Sequence, residues 1–234
     1  MKAAIIAAGH GERLLAAGYE QPKPLVPVAG QALIDYALAA ISSAGLAEVA
    51  CIVNEQSAGI EAHCRRRWPQ LSFEFVRRTT ASSMESLFTL APLLSGERFV
   101  LLTVDSVFSP DVLRRFLEAA AAHVDANGVL AVTRFVDDEK PLWARLDAKN
   151  RVVGLGPAAR KSGWITAGFY TFDASIFLDA EVALQRFTAL RQFLGHLVAS
   201  GSRIYGVPVG KTVDVDRAED VATAEAFVRS GFAA

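Results

Sequence analysis

Short unbroken apolar runs recur along the 234 residues, with amphipathic stretches between them. Residues 3–8, 48–53, 99–104 and 129–135 are nearly solid in Ala, Val, Ile, Leu and Phe. A run without polar alternation suits a strand buried on both faces. Residues 71–76 alternate more openly, and 164–172 and 204–207 complete the predicted strands. Helical spacing predicts helices over 33–44, closed by Gly45, over 60–68, stopped by Pro69, and over 84–94, 110–122, 174–178, 189–200 and 218–227. Residues 142–146 and 152–155 read as a hairpin turning over 147–150; 29–31 is a turn, 54–59 and 156–163 are loops, and the acidic 137–140 is an exposed turn. The order strand, helix, strand, helix argues for an α/β protein with a parallel sheet and crossover helices.

Composition sharpens this picture mainly by exclusion. The chain is 52% hydrophobic, enough for a substantial core. Its net charge of −1 gives no general attraction to nucleic acid or to an anionic membrane surface. Anion binding must then come from a few locally placed groups. No run is long enough to cross a bilayer, and no signal peptide is evident. Cys51 and Cys64 form no C-x-x-C pair and read as reduced thiols of a cytoplasmic chain. No repeat or low-complexity segment interrupts the chain.

The candidate chemistry gathers at strand ends. The first strand breaks at Gly9-His10-Gly11, where positive φ and close approach are tolerated and backbone amides can form an anion nest. Arg13 follows with a fork suited to phosphate, and Pro22-Lys23-Pro24 sets one lysine on a stiffened main chain. The polar stretch 79–83, including Ser82 and Ser83, offers helix caps that also suit a base or ribose. Asp105 ends the strand 99–104, where open α/β sheets bind ligands, or else it is a turn residue or the cap of the next helix. Gly168 interrupts a strand, the mark of a close approach. Asp214 and Asp216 share a side if 213–216 is extended, and repel unless a cation lies between them. Alternatively Asp216 caps the last helix, with Glu219 and Asp220 in its first turn; a capping role is expected for at least one of the acids.

Taken together, the strand, G-x-G-x-R and P-K-P-L-x-P-V in one N-terminal segment resemble the signature of the sugar-phosphate nucleotidyltransferases. Asp105 resembles that family's first metal-binding aspartate and Asp214, in V-D-V-D-R-A-E-D, its second, with Asp216 as the competing position; T-A-G-F-Y resembles its N-A-G-x-Y acceptor segment. The short chain is similar to compact members such as the MurNAc-1-phosphate uridylyltransferases and phosphocholine cytidylyltransferases.

The resemblance implies a Rossmann-like three-layer α/β/α sandwich of the nucleotide-diphospho-sugar transferase type, with a mixed, mostly parallel sheet. It implies one domain over 1–234, with 1–110 as the nucleotide-binding half and 111–234 as the acceptor-binding half. The implied reaction is NTP plus a sugar 1-phosphate giving a nucleotide sugar and pyrophosphate, in a monomer or small homo-oligomer. Its implied partners are an NTP and a phosphorylated small molecule. Mg²⁺ would be held by Asp105 with Asp214 or Asp216. Arg13 and Lys23 would be catalytic, and Ala7, Ala8, Gly9, His10, Gly11, Ser82 and Ser83 would bind nucleotide. Trp143, Lys161, Thr166 and Gly168 would face the acceptor.

The chain departs from the family in three places. Leu15 to Gly18 replaces the usual P-x-T, the family's E-K-P is absent near Arg160-Lys161, and Thr166 replaces an asparagine. The missing glutamate puts a hexose-phosphate acceptor in question. Trp143 and Trp164 are core or lid packing, or an aromatic face for a sugar or quaternary ammonium. Two alternatives therefore stay open: a cytidylyltransferase for a phosphate alcohol such as phosphocholine, and a non-catalytic nucleotide sensor. A dinucleotide-binding oxidoreductase would need G-x-G-x-x-G, but position 14 is Leu14.

Overall fold

A computed structural model describes residues 1–57, 59–136 and 140–233. Residues 137–139, most of the expected acidic turn, lie outside the described residues. The elements run β1 (Lys2–Ala7), α1 (Glu12–Ala16), β2 (Pro27–Val28), β3 (Gln31–Ala32), α2 (Leu33–Ser43), β4 (Glu48–Val53), α3 (Gly59–Arg67), β5 (Ser72–Arg77), α4 (Ser83–Thr89) and α5 (Ala91–Leu94). They continue β6 (Phe99–Thr103), β7 (Ser106–Val107), α6 (Pro110–Ala120), β8 (Gly128–Thr133), β9 (Trp143–Leu146), β10 (Val152–Leu155), β11 (Trp164–Phe172), α7 (Ala180–Arg186), α8 (Leu190–Ala199), β12 (Ile204–Pro208), β13 (Val213–Asp214) and α9 (Ala218–Arg229).

The main sheet runs β5-β4-β1-β6-β11-β8-β12. Its strands are parallel except β11, which is antiparallel to both neighbours. The β9–β10 hairpin joins the first residues of β11. The expected mixed, mostly parallel sheet is thus the observed one. Strand alternation deals β1 to both faces: Ala3, Ile5 and Ala7 pack with α2, α3 and α6, while Ala4, Ile6 and Ala8 pack with α4, α5, α7 and α8. That double burial explains why these strands read as continuous apolar runs. A third cluster, with Leu14, Val28, Tyr36, Val107, Val213, Val215 and Phe227, clamps α1 and α9 over one end of the sheet.

Some expectations need correction. The helix expected over 84–94 is two helices meeting at Leu90, because Pro92 lacks the N–H a continuous helix needs and instead sits in the first turn of α5. The loop expected at 156–163 contains a 3-10 helix over Pro157–Ser162, held between Gly156 and Gly163 at φ 102 and 71. The helices α1 and α7 and the two-residue strands β7 and β13 were not anticipated, since such short pieces show no usable periodicity. Cys51 and Cys64 are free and buried, as read, and burial pushes both thiols up. Among the described residues no helix is long and apolar enough to cross a membrane.

The turn between β2 and β3 carries its own prediction. Ala29 and Gly30 both have positive φ, 48 and 81, as a hairpin matching the sheet's twist requires. Alanine is strained there, so Ala29→Gly should stabilise the protein by roughly 0.5–1 kcal/mol in chemical denaturation. An unchanged or lowered midpoint would count against that strain.

Candidate active site

A cleft of about 580 Å³ opens at the C-terminal ends of β1 and β6. Ligands of open α/β sheets bind at such strand ends. Gly9, His10 and Gly11 form one lip, Thr80 to Ser83 another, and Leu142, Thr166, Gly168, Tyr170 and the start of α8 close the far end. Arg13, Lys23, Asp105, Asp214 and Asp216 lie between.

Lys23 is the centre of this arrangement. Its residue is only 8% exposed, yet its ammonium lies 3.0 Å from Asp105 Oδ2 and 2.5 Å from Asp216 Oδ1. Burial alone would pull its pKa down; the two carboxylates outweigh that and leave it raised. Asp105 is the mirror case. Burial would raise its pKa, but Lys23 and the Thr103 hydroxyl hold it below the usual carboxylate range. Arg13, half exposed, adds a 3.5 Å contact to Asp216 Oδ2.

Local structure explains how residues so far apart in the chain meet. Gly11 has φ 65, and a Cβ there would lie 2.8 Å from Lys23 Cβ, so the glycine lets the first loop press against the lysine segment. Lys23 opens a 3-10 turn, Lys23–Leu25, flanked by Pro22 and Pro24. Asp105 follows β6, and its carbonyl accepts the amide of Val215 at 2.9 Å. The antiparallel pair β7–β13 sets Asp214 opposite Ser106, whose hydroxyl donates to Asp214 Oδ1 at 2.6 Å. This two-residue ladder ties the segment after β6 to the segment before α9.

Asp216 does not cap α9. That role belongs to Asp220, whose Oδ2 accepts the amides of Asp216 and Arg217 at 2.9 and 2.8 Å. Asp216 is thereby free to turn toward Lys23. Ser82 is a true cap, accepting from the Glu85 amide at 3.2 Å, and it lines the cleft as well.

Of the residues singled out in the sequence, Gly9, His10, Gly11, Arg13, Lys23, Ser82, Ser83, Asp105, Thr166, Gly168, Asp214 and Asp216 all line the cleft. Ala7, Ala8, Trp143 and Lys161 do not. Ala7 and Ala8 are core residues on opposite faces of the sheet. Trp143 lies beneath the Arg160 guanidinium, 5.9 Å away, a packing role. Trp164 likewise stacks with Arg134 at 4.3 Å. Lys161 sits in the 3-10 helix at the edge of the hairpin.

Ser106, Thr103, Arg191 and Asn54 also belong to the cleft or its support, outside the motifs named in the sequence. Asn54 had a signal, the same as Asp105: a polar residue that ends a buried run. Arg191 had none, because a basic residue early in an amphipathic helix looks like a solvated face.

Among the described residues no three His, Cys, Asp or Glu side chains converge to hold a metal ion. The donors in the cleft are instead paired carboxylates, Asp105 and Asp216, held by one ammonium. Hard oxygen donors in that number suit Mg²⁺, which binds through one or two carboxylates and completes its shell with water and substrate phosphate.

Residues 3–163 match the family model described as the MobA-like NTP transferase domain. The chain is 29% identical over 97% of its length to the "Bifunctional IPC transferase and DIPP synthase" of Rubrobacter xylanophilus, covering 51% of that protein. It is 28% identical, over 62% of its length and 26% of the other's, to the "CMP-5'-(3-aminopropyl)phosphonate synthase" of Streptomyces rubellomurinus. The chain therefore spans about half or less of these relatives. The fold of the inositol-1-phosphate CTP transferase from T. maritima superposes over 100% of this chain and 98% of that one, with a TM-score of 0.83 at 20% identity.

Proposed function

This chain belongs to the MobA-like NTP transferase family, and we propose that it transfers the nucleoside monophosphate of an NTP to a phosphorylated small molecule, releasing pyrophosphate. The observation that carries this reading is the buried Lys23, clamped between Asp105 and Asp216 and facing the glycine loop. A binding module has little use for a desolvated lysine held by two acids. A transferase joining two anions does, because the repulsion between them is its main obstacle.

In the reaction an acceptor phosphate oxygen attacks the α-phosphorus of the NTP. The bond from that phosphorus to the bridging oxygen breaks, and pyrophosphate leaves with the electron pair. The acceptor is already ionised, so no general base is required. Amides of Gly9 to Gly11 cradle the triphosphate, and Lys23 neutralises charge at the α-phosphate. Arg13, on an exposed stem, reaches the departing pyrophosphate. Mg²⁺, held by Asp105 with Asp214 or Asp216, would supply screening of the phosphates. The first half of the chain then serves the nucleotide, and Thr166, Gly168, Tyr170 and the start of α8 serve the acceptor.

The choice of substrates follows from two features. Lys161 lies away from the cleft lining and the E-K-P segment is missing, which disfavours a hexose 1-phosphate held by that lysine. Two of the similar proteins above carry CTP or CMP in their names, and one is an inositol-1-phosphate CTP transferase. We therefore take CTP and a polyol phosphate as the first pair. Pyrophosphate release should be measured across the NTPs with inositol 1-phosphate, glucose 1-phosphate, phosphocholine and 3-aminopropylphosphonate, with and without Mg²⁺. Turnover with CTP and inositol 1-phosphate, dependent on Mg²⁺, is expected. A preference for glucose 1-phosphate would restore the sugar reading, and no turnover with any pair would favour a nucleotide sensor.

A further inference from the structure

Asn54 is a buried junction of three loops around the cleft. It follows β4 and is 3% exposed. Its Oδ1 accepts the Gln56 backbone amide at 2.9 Å and the Thr79 hydroxyl at 3.3 Å. A backbone amide can only donate, so this contact fixes which end of the side-chain amide is oxygen. Nδ2 must then donate, and it faces the Ala8 carbonyl at 3.4 Å and His10 Nδ1 at 3.1 Å. A ring nitrogen that accepts has no proton, so the neutral His10 ring carries its proton on Nε2. Among the described residues Nε2 has no hydrogen-bond partner, and His10 is an exposed residue of the cleft lip. The glycine loop already offers the backbone amide of this residue. The structure gives it an oriented side-chain donor as well.

We propose that His10 Nε2–H donates to a phosphate oxygen of the bound nucleotide, and that Asn54 is the positioning residue that sets the ring's tautomer. Resting on the nucleotidyl-transfer reading above, this adds to it a residue-specific donor. Phosphate, rather than base, is the partner favoured by the surroundings. His10 lies between the two glycines of the amide nest, on the same cleft as Arg13 and Lys23. Phosphate oxygens only accept, so each one buried there needs a donor aimed at it.

Three measurements test the proposal. Long-range 1H–15N correlation spectra of the wild-type protein should show the Nε2–H tautomer at His10, with Nε2 shifting on addition of pyrophosphate alone. A shift with cytidine but none with pyrophosphate would overturn the phosphate assignment. His10→Phe, at an exposed position, should fold normally and weaken CTP binding, measured without acceptor, by roughly tenfold, the scale of one hydrogen bond to a charged group. Asn54→Asp replaces the donor by an acceptor of the same shape. With the ring kept neutral in alkaline buffer, it should move the ring proton to Nδ1 and weaken CTP binding similarly; should this buried variant fail to fold, His10→Phe decides alone. A wild type that turns over CTP while His10→Phe binds it equally well overturns this proposal and leaves the proposed function standing. A wild type that binds no NTP overturns both.

Discussion

Lys23→Met should lower turnover by roughly 10²–10³-fold, the loss typical of removing a preorganised donor from developing charge. Methionine keeps the length and apolar stem, so the 3-10 turn and its packing against Gly11 should persist. What disappears is the ammonium between Asp105 and Asp216. The carboxylates are 31% and 48% exposed, so water screens much of the repulsion, and about 1–2 kcal/mol of stability should be lost, less than a fully buried pair would give.

Two further signs separate this from simple damage. Divalent cations should raise the melting temperature of Lys23→Met more than that of the wild type, because the paired acids then lack their own cation. The acid limb should also move. Lys23 holds the Asp105 carboxyl below its ordinary range, so this pairing contributes fully above the unfolded carboxyl value, about 3.9, and is lost as pH falls through the lower folded value. Without Lys23 that contribution is absent, and acid unfolding should begin at higher pH. Full turnover in Lys23→Met would remove the lysine from the reaction.

Gly168→Ala is the second large expectation, and it tests the architecture under the site. Gly168 has φ 81 where β11 shifts register between Thr166 and Tyr170. A Cβ there would lie 2.0 Å from Ser106 Oγ, 3.0 Å from Ser106 Cβ and 3.1 Å from Thr103 Oγ1. Left-handed backbone and collision together should cost about 2–4 kcal/mol. For a domain of this size that is a fall of roughly 4–16 °C in melting temperature.

The collision falls on the hydroxyl that anchors Asp214 at 2.6 Å, so turnover should drop as well. Adding Ser106→Gly to Gly168→Ala removes both clashing Ser106 atoms. It should return part of the stability while leaving Asp214 without that donor, so stability would recover further than activity. A Gly168→Ala protein as stable as wild type would mean the strand can relax around the bulge, and the close approach would lose its significance.

Much of this was legible in the chain. The solid apolar runs at β1, β4 and β6 marked strands covered on both faces, and their alternation with amphipathic helices gave the parallel sheet. Gly9, Gly11, Arg13 and Lys23 were legible because they lie within fifteen positions of one another and carry unusual backbone chemistry. Trp143 and Lys161 do not line the cleft, because residue type signals what a side chain can bind, while its position depends on the local backbone. There a 3-10 helix, rather than an open loop, carries Lys161 away from the cleft lining.

The residue pattern alone specifies the frame and the inventory: which segments are strands and helices, and which charged groups end them. Local propensity and periodicity act over a few residues, and that is their reach. The partnerships come from packing. It set Lys23 between acids 82 and 193 positions away in the chain, gave the cap of α9 to Asp220, and joined Asp214 to Ser106 through a two-residue ladder. It also brought the side-chain amide of Asn54 onto Nδ1 of His10. Such contacts close long loops whose geometry only the packed sheet can supply, so no local pattern could announce them.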